Sequence, residues 1–227
     1  MKVSVVIPVY NEEKYIKNCL DSLMNQEEKP DEIIVIDNNC TDKTISIVKK
    51  YKGIKIIQEK KQGITPTRNA GFNLASGDII ARCDADSILP SNWVKKIKKD
   101  FEDKQMVGFC NSFIFYDLPI INQSSLPSKL FYSCSKIILG FYSQIGPAMA
   151  IRKDTWEKVK NEVCLDDKKV HEDIDLSIHI KKYGNIFLNK NVIVKISGRR
   201  IRYNLLSFFV EYPLRLIKML KSHRHLV

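Results

Sequence analysis

The chain predicts a single α/β domain built on a mixed, mainly parallel sheet flanked by helices. Two observations carry that expectation. Apolar runs of strand length alternate with helically spaced apolar positions through the first hundred residues, the order that winds helices around a parallel sheet. One such run, Ile79 to Cys83, stops at two carboxylates, Asp84 and Asp86, with only Ala85 between them. In open α/β sheets ligands gather at the carboxyl ends of strands, so these acids are expected to face a crevice.

Residues 3 to 9 are nearly all apolar, as in a strand buried on both faces. Asn11 is expected to cap a helix with Glu12 and Glu13 in its first turn and Ile16, Leu20, Leu23 and Met24 facing inward. Glu32 to Asp37 is a second buried strand. A loop from Asn38 to Asp42, with Thr41 or Asp42 as cap, leads to a helix carrying Ile45 and Val48. Ile54 to Ile57 is a third strand. Thr65 or Thr67 is expected to cap a helix through Leu74, with Pro66 tolerated near its start. Trp93 to Phe101 is amphipathic with a lysine-rich outer side. Further on, the pattern predicts a longer strand from Val107 to Tyr116 and a helical or loop region from Leu126 to Tyr142. A strand from Gly146 to Ile151 leads to a helix from Lys153 to Asn161. A helix from His171 to Tyr183 and short strands near 186–188 and 192–196 complete the reading. The expected organisation is a domain over residues 1–197, with a nucleotide-type front half over 1–104, a back half over 105–197, and a basic tail over 198–227.

Two acids at a strand end repel each other unless a cation lies between them, and hard divalent cations prefer carboxylate oxygen. Magnesium or manganese holding phosphates is the natural third party. The alternative is an Asp-rich turn in which Asp86 or Ser87 caps the next helix.

At 227 residues, 44% hydrophobic and 28% charged, the chain has ample material for a buried core. Its six cysteines show neither Cys-x-x-Cys nor Cys/His metal spacing, so buried thiols in a reducing, cytoplasmic compartment are expected. The N-terminal apolar run is broken at Pro8, too short for a signal peptide. The uncharged stretch from Ile137 to Ile151 contains Gly140, Gln144, Gly146 and Pro147, and does not read as a bilayer span. The formal net charge is +11, and from Lys195 onward eight Lys/Arg face Glu211 alone. Such a surface suits nucleic acid, anionic lipid or a phosphorylated substrate, and charge does not choose among them.

Several stretches together resemble the inverting nucleotide-sugar glycosyltransferases of family 2, which have the GT-A fold. They are Val5-Val6-Ile7-Pro8-Val9-Tyr10-Asn11-Glu12, Ile34-Val35-Ile36-Asp37-Asn38 with Thr41 to Thr44, Arg68-Asn69-Ala70-Gly71 ahead of Asp84-Ala85-Asp86, Gly146 to Arg152, and Glu172-Asp173-Ile174-Asp175-Leu176. The resemblance covers about residues 3 to 185. It implies a UDP- or GDP-sugar donor, with Pro8, Val9, Tyr10 and Glu12 lining the base and ribose pocket and Asp37 bonding the base. It implies Asp86, with Asp84 beside it, as ligand of Mn2+ or Mg2+, and Asp84 and the Ala85 backbone facing the ribose and donor sugar. Arg68 falls near the diphosphate or tethers the aspartate loop. Asp173 becomes the base that takes the acceptor proton, with Glu172 orienting the site.

Simpler roles stand beside these. Asp37 caps a loop, Tyr10 is a core aromatic, Arg68 is an exposed helix charge, and Glu172, Asp173 and Asp175 are first-turn acids favoured by the helix dipole. His171 reads as a surface or cap residue and His179 as a core histidine.

The Gln-x-x-Arg-Trp motif of sugar-polymerising relatives is absent after Asp173, which argues against a processive synthase. Arg199 and Arg200 stand where related enzymes fold a loop over the diphosphate, or else form a solvated basic turn. From Leu205 to Leu220 apolar and basic residues alternate around Pro213, which is expected to break or kink the pattern. That stretch is either a membrane-surface element at the inner leaflet, serving a glycan or lipid-phosphate acceptor, or a helix packed on the core. Two other classes were weighed. A nucleotidyltransferase needs a Gly-rich basic loop after its first strand, which Val9 to Glu13 lacks. A nucleic-acid-binding module leaves the paired acids unexplained and has no aromatic platform, so no nucleic-acid partner is expected.

Overall fold

The computed structural model describes residues 1–118, 124–203 and 210–223. A seven-stranded sheet runs through it in the order β3-β2-β1-β4-β6-β5-β7. Strands β1 (Val3–Val9), β2 (Glu32–Asp37), β3 (Ile54–Gln58) and β4 (Ile79–Cys83) are mutually parallel. Between them run helices α1 (Ile16–Met24), α2 (Thr44–Val48) and α3 (Ile64–Leu74). All seven residues of β1 and all five of β4 are buried, as expected of central strands covered on both faces.

In the back half one strand, β6, reverses direction. Helix α4 (Trp93–Asp100) leads to β5 (Met106–Phe115), α5 (Leu126–Leu139), β6 (Ala148–Arg152) and α6 (Lys153–Val159). Strand β6 enters the sheet antiparallel to both β4 and β5, setting Ala148 opposite Cys83. Helix α7 (Glu172–Lys181) precedes β7 (Asn185–Ile196), and α8 (Arg199–Tyr203) and α9 (Tyr212–Ser222) follow. The two short strands expected near 186–188 and 192–196 are one strand with a register shift, where Asn111 pairs with Asn189 but Ser112 with Ile193.

Two local expectations are corrected. Asn11 does not cap α1. Its φ is +55°, a left-handed conformation Asn tolerates, and its Oδ1 accepts from the Thr41 N–H at 2.8 Å. Neither Thr65 nor Thr67 caps α3. The Ile64 N–H is taken by the Asp167 carboxylate at 3.0 Å, a partner 103 residues away that local spacing cannot reveal. Pro213 stands in the first turn of α9, where its missing N–H costs nothing and where a break in the pattern is expected. Leu205, Leu206 and Phe209, the start of the expected amphipathic stretch, lie outside the described residues.

Gly71 decides how closely α3 approaches the sheet. A Cβ there would sit 2.2 Å from Val6 Cγ1. The close approach carries Arg68, one turn earlier on α3, into the protein interior.

Candidate active site

The carboxyl ends of β1, β2 and β4 open on the same edge of the sheet. Val9 pairs with Asp37 across β1 and β2, and the Asn38 N–H donates to the Val9 carbonyl at 2.9 Å. Pro8 and Val9 are buried in β1, whereas Tyr10, just past its end, is 51% exposed and so not a core aromatic. Asp37 accepts from the Cys40 N–H at 2.8 Å, which turns the chain toward α2. Asp42 bonds the N–H groups of both Glu13 (3.0 Å) and Thr44 (2.9 Å), tying the loops after β1 and β2 together.

The loop after β4 is pinned by the segment before β6. The Pro147 carbonyl accepts from the Asp84 N–H (3.3 Å) and from the Ser87 hydroxyl (2.8 Å), so Ser87 is committed there. Ala85 is buried, and the Tyr116 hydroxyl donates to the Asp86 carbonyl at 3.2 Å. Asp86 also faces Arg199, whose Nε lies 3.0 Å from Oδ2. The same guanidinium holds Glu12 through Nη1 at 2.7 Å and through Nη2, and lies 4.7 Å from the centre of the Tyr15 ring. Burial first, and the Asp84 charge second, push the Asp86 carboxyl up to about 7 against the opposing pull of Arg199. Arg200 donates to the Tyr212 hydroxyl at 2.9 Å while remaining within reach of the Asp84 and Asp86 charges.

Beneath this loop runs a buried chain of alternating charge. Arg68 is not an exposed helix charge but is fully buried, between the Phe72 and Trp156 rings at 5.9 Å each. It pairs with the Glu172 carboxylate and donates to the Glu172 carbonyl at 2.7 Å. The other Glu172 oxygen pairs with Arg82, and Arg82 Nη2 reaches Asp84 Oδ1 at 2.9 Å. Arg68 thus tethers α7 directly and the aspartate loop only through Glu172 and Arg82. Burial alone would raise Glu172, but Arg82 and Arg68 outweigh it and hold its carboxyl below the usual range. Glu172 is therefore ionised, and it is more than a first-turn acid.

Arg82 was missed by sequence reasoning, which read Ile79 to Cys83 as an apolar run. The signal was there: an arginine inside a strand buried on both faces needs a buried counter-charge.

Asp173 takes a different environment from its neighbour. Its Oδ2 accepts from the Gly146 N–H at 2.9 Å. Desolvation first, and the Glu172 charge second, raise its carboxyl above the ordinary value, with the Gly146 N–H opposing. Gly146 itself has no room for a side chain, because a Cβ would lie 2.8 Å from Arg82 Nη2. One segment, Gly146-Pro147, therefore touches Asp173, Arg82 and the Asp84 backbone.

The glycosyl transferase family 2 profile matches residues 4–155, two-thirds of the chain and the whole of the strand edge just described. The chain belongs to that family. The nucleotidyltransferase and nucleic-acid classes are set aside with it.

Curated relatives match over part or most of the chain. Glycosyltransferases of Streptococcus pneumoniae, Bacillus subtilis and Haemophilus influenzae are 32–38% identical over 108–117 residues, and the chain spans only 16–36% of their length. A Methanococcus voltae enzyme named as a dolichyl N-acetyl-glucosaminyl phosphate diacetamido-dideoxyglucuronosyltransferase is 26% identical, over 84% of this chain and 65% of its own. Among solved structures, the Pyrobaculum calidifontis mannosyltransferase PcManGT, in complex with GDP-Man and Mn2+, superposes with a TM-score of 0.78 at 18% identity, covering 99% of this chain and 64% of that one. S. aureus TarS 1–349 with UDP-GlcNAc gives 0.68 at 22% identity, covering 88% and 59%. These likenesses establish the GT-A glycosyltransferase fold for the family 2 chain.

Proposed function

We propose that this family 2 chain transfers a sugar from a UDP- or GDP-sugar to an acceptor hydroxyl or phosphate with inversion, Asp173 acting as base. The observation that carries the reading is the contrast between adjacent carboxylates: Glu172 is locked between two arginines, whereas Asp173 is held by the backbone N–H groups of Gly146 and Ile174 and keeps a raised proton affinity. A base must be ionised at rest yet accept a proton as the acceptor oxygen attacks, and a carboxylate with raised affinity meets both needs. Glu172 orients the site by fixing Arg82, which in turn fixes Asp84.

On the donor side, Asp37 would bond the base, with Pro8, Val9, Tyr10 and Glu12 around base and ribose. The donor set at Asp84 and Asp86 fits Mn2+ or Mg2+. Both ligands are hard oxygens, and the raised Asp86 carboxyl marks a negative site that Arg199 only partly compensates. When bound, such an ion supplies positive charge to the diphosphate leaving group. Arg199 would then exchange Asp86 and Glu12 for the diphosphate, with Arg200 beside it. The PcManGT complex with GDP-Man and Mn2+ and the TarS complex with UDP-GlcNAc support a nucleotide-sugar donor and leave the base open.

The test is calorimetric titration of the protein with UDP and with GDP, each with and without manganese. Binding of one nucleotide that depends on metal and disappears in Asp86→Ala is expected. Equal nucleotide affinity with and without metal, or in Asp86→Ala, would overturn the assignment of the aspartate pair.

A further inference from the structure

Asp175, His179 and His223 are buried together on the side of α7 away from Asp173, since residues two apart on a helix do not share a face. Their ligand-capable atoms all lie within 4.8 Å of one another. Asp175 and His179 stand one turn apart on α7, and His223 arrives from the end of α9. His223 Nε2 is 3.0 Å and His179 Nε2 3.8 Å from the same oxygen, Asp175 Oδ1. Among the described residues, Asp175 Oδ1 and His179 Nε2 have no hydrogen-bond partner, despite complete burial of their atoms.

The outer atoms of the three side chains are all engaged. Asp175 Oδ2 accepts from the Cys164 N–H at 2.9 Å. His223 Nδ1 lies 2.8 Å from the Met219 carbonyl, which can only accept, so Nδ1 carries the proton. The Ser222 hydroxyl donates to the same carbonyl at 2.7 Å and so does not supply that proton. His179 Nδ1 faces the Glu162 carboxylate at 3.3 Å, an acceptor again, so its proton too is on Nδ1. Neutral imidazoles in these tautomers direct two Nε2 lone pairs at a carboxylate oxygen. Three electron pairs then converge with no hydrogen among them. A cation satisfies all three at once, whereas a proton on His223 Nε2 would pair Asp175 Oδ1 and leave His179 Nε2 without a partner.

We propose that Asp175, His179 and His223 bind a zinc-type divalent ion that fastens the end of α9 to α7. Two imidazole nitrogens and one carboxylate oxygen form a donor set zinc accepts, with water free to complete a tetrahedron. The outer partners have the form of a metal site's second sphere. A carboxylate on His179, a backbone carbonyl on His223 and a backbone N–H on Asp175 fix each ligand's orientation. The apolar cluster of Leu139, Val170, Ile178 and Met219, joined by Leu216 and Leu220, brings the two helices together before any ion binds. This site is separate from the donor-binding reading and stands without it.

The test uses the full chain, purified without a metal-affinity tag, stripped with chelator and titrated with zinc chloride against a chromogenic chelator. One tight equivalent of zinc is expected, undiminished in Asp86→Ala and lost in His223→Ala. Glu162→Gln, at a residue outside the ligand set, should weaken binding about 10–100-fold while leaving the fold intact. Zinc should also slow tryptic cleavage at Lys218 and Lys221 in the parent and not in His223→Ala. Absence of a tight equivalent, or equal zinc binding in the parent, His223→Ala and Glu162→Gln, would overturn the proposal and leave a His–Asp ion pair. Loss of the zinc in Asp86→Ala would assign it to the aspartate loop and overturn it equally.

Discussion

Glu172 and Asp173 are covalent neighbours with opposite electrostatic fates, and each predicts its own mutant. Glu172→Gln removes the carboxylate that Arg68 and Arg82 share, leaving the buried Arg68 against a neutral amide and Arg82 with Asp84 alone. Breaking a buried pair from one side costs about 3–5 kcal/mol, or roughly 6–20 °C in a chain of this size. Asp173→Asn should do the reverse. A carboxyl whose folded proton affinity is raised costs stability once pH exceeds its unfolded value, and the cost vanishes when both states are protonated. The amide removes the charge and keeps an oxygen for the Gly146 N–H, giving up only the acceptor that the adjacent Ile174 N–H had in Oδ1. Transfer should be lost in Asp173→Asn while the melting temperature at pH 7 rises by a few degrees, a gain that shrinks toward pH 4. Melting curves at both pH values, with donor turnover, check the pair. If Asp173→Asn retained full activity, the base would lie elsewhere.

Among the elements, α5 and α9 leave apolar side chains in solvent. Leu126, Leu130 and Ile137 follow helical spacing along α5 and are 57%, 56% and 82% exposed. Leu214 and Ile217 on α9 are exposed as well, beside Lys218 and Lys221. The other side of α9 packs on the body through Met219, Leu216 and Leu220. Helix α9 is thus packed on the core, as the second alternative for the tail expects, and leaves an apolar side in solvent. No described helix is long and apolar enough to cross a membrane. An apolar stripe with flanking lysines suits the surface of an anionic bilayer. Flotation with phosphatidylglycerol vesicles should carry the parent upward, and Ile137→Glu with Leu214→Glu should leave it at the bottom without changing its melting temperature. Equal flotation of both would remove the membrane contact.

The strands and helices of the front half were legible because each buries a continuous apolar run or a regular stripe, which is a local property. What escaped was set by partners distant in sequence. Arg82 hid inside an apolar run because its counter-charge, Glu172, lies 90 residues later. The cap of α3 comes from Asp167, and His179 reads as an ordinary core histidine until His223 is set beside it.

The same long-range dependence governs the whole molecule. Residues after Ser197 were read as a tail, yet they supply Arg199 to Glu12 and Asp86, and Met219 and His223 to α7 and its surroundings. Ending the chain at Ser197 would uncover Leu139, Val170 and Ile178, leave Asp175 facing an open cavity, and free both Glu12 and Asp86. Losing the buried contacts of even one Met-sized side chain costs about 2–5 kcal/mol. For a chain of this length that is a fall of roughly 4–20 °C. The shortened chain should therefore melt measurably lower and bind nucleotide more weakly in the same calorimetric titration. Arg199→Ala in the full chain should lose only the second property, because Arg199 reaches the site but not the apolar cluster under α9. A truncated chain that melts and binds like the parent would show that residues 198–227 are an appendage, and that the sheet and its strand-end loops form the complete donor site by themselves.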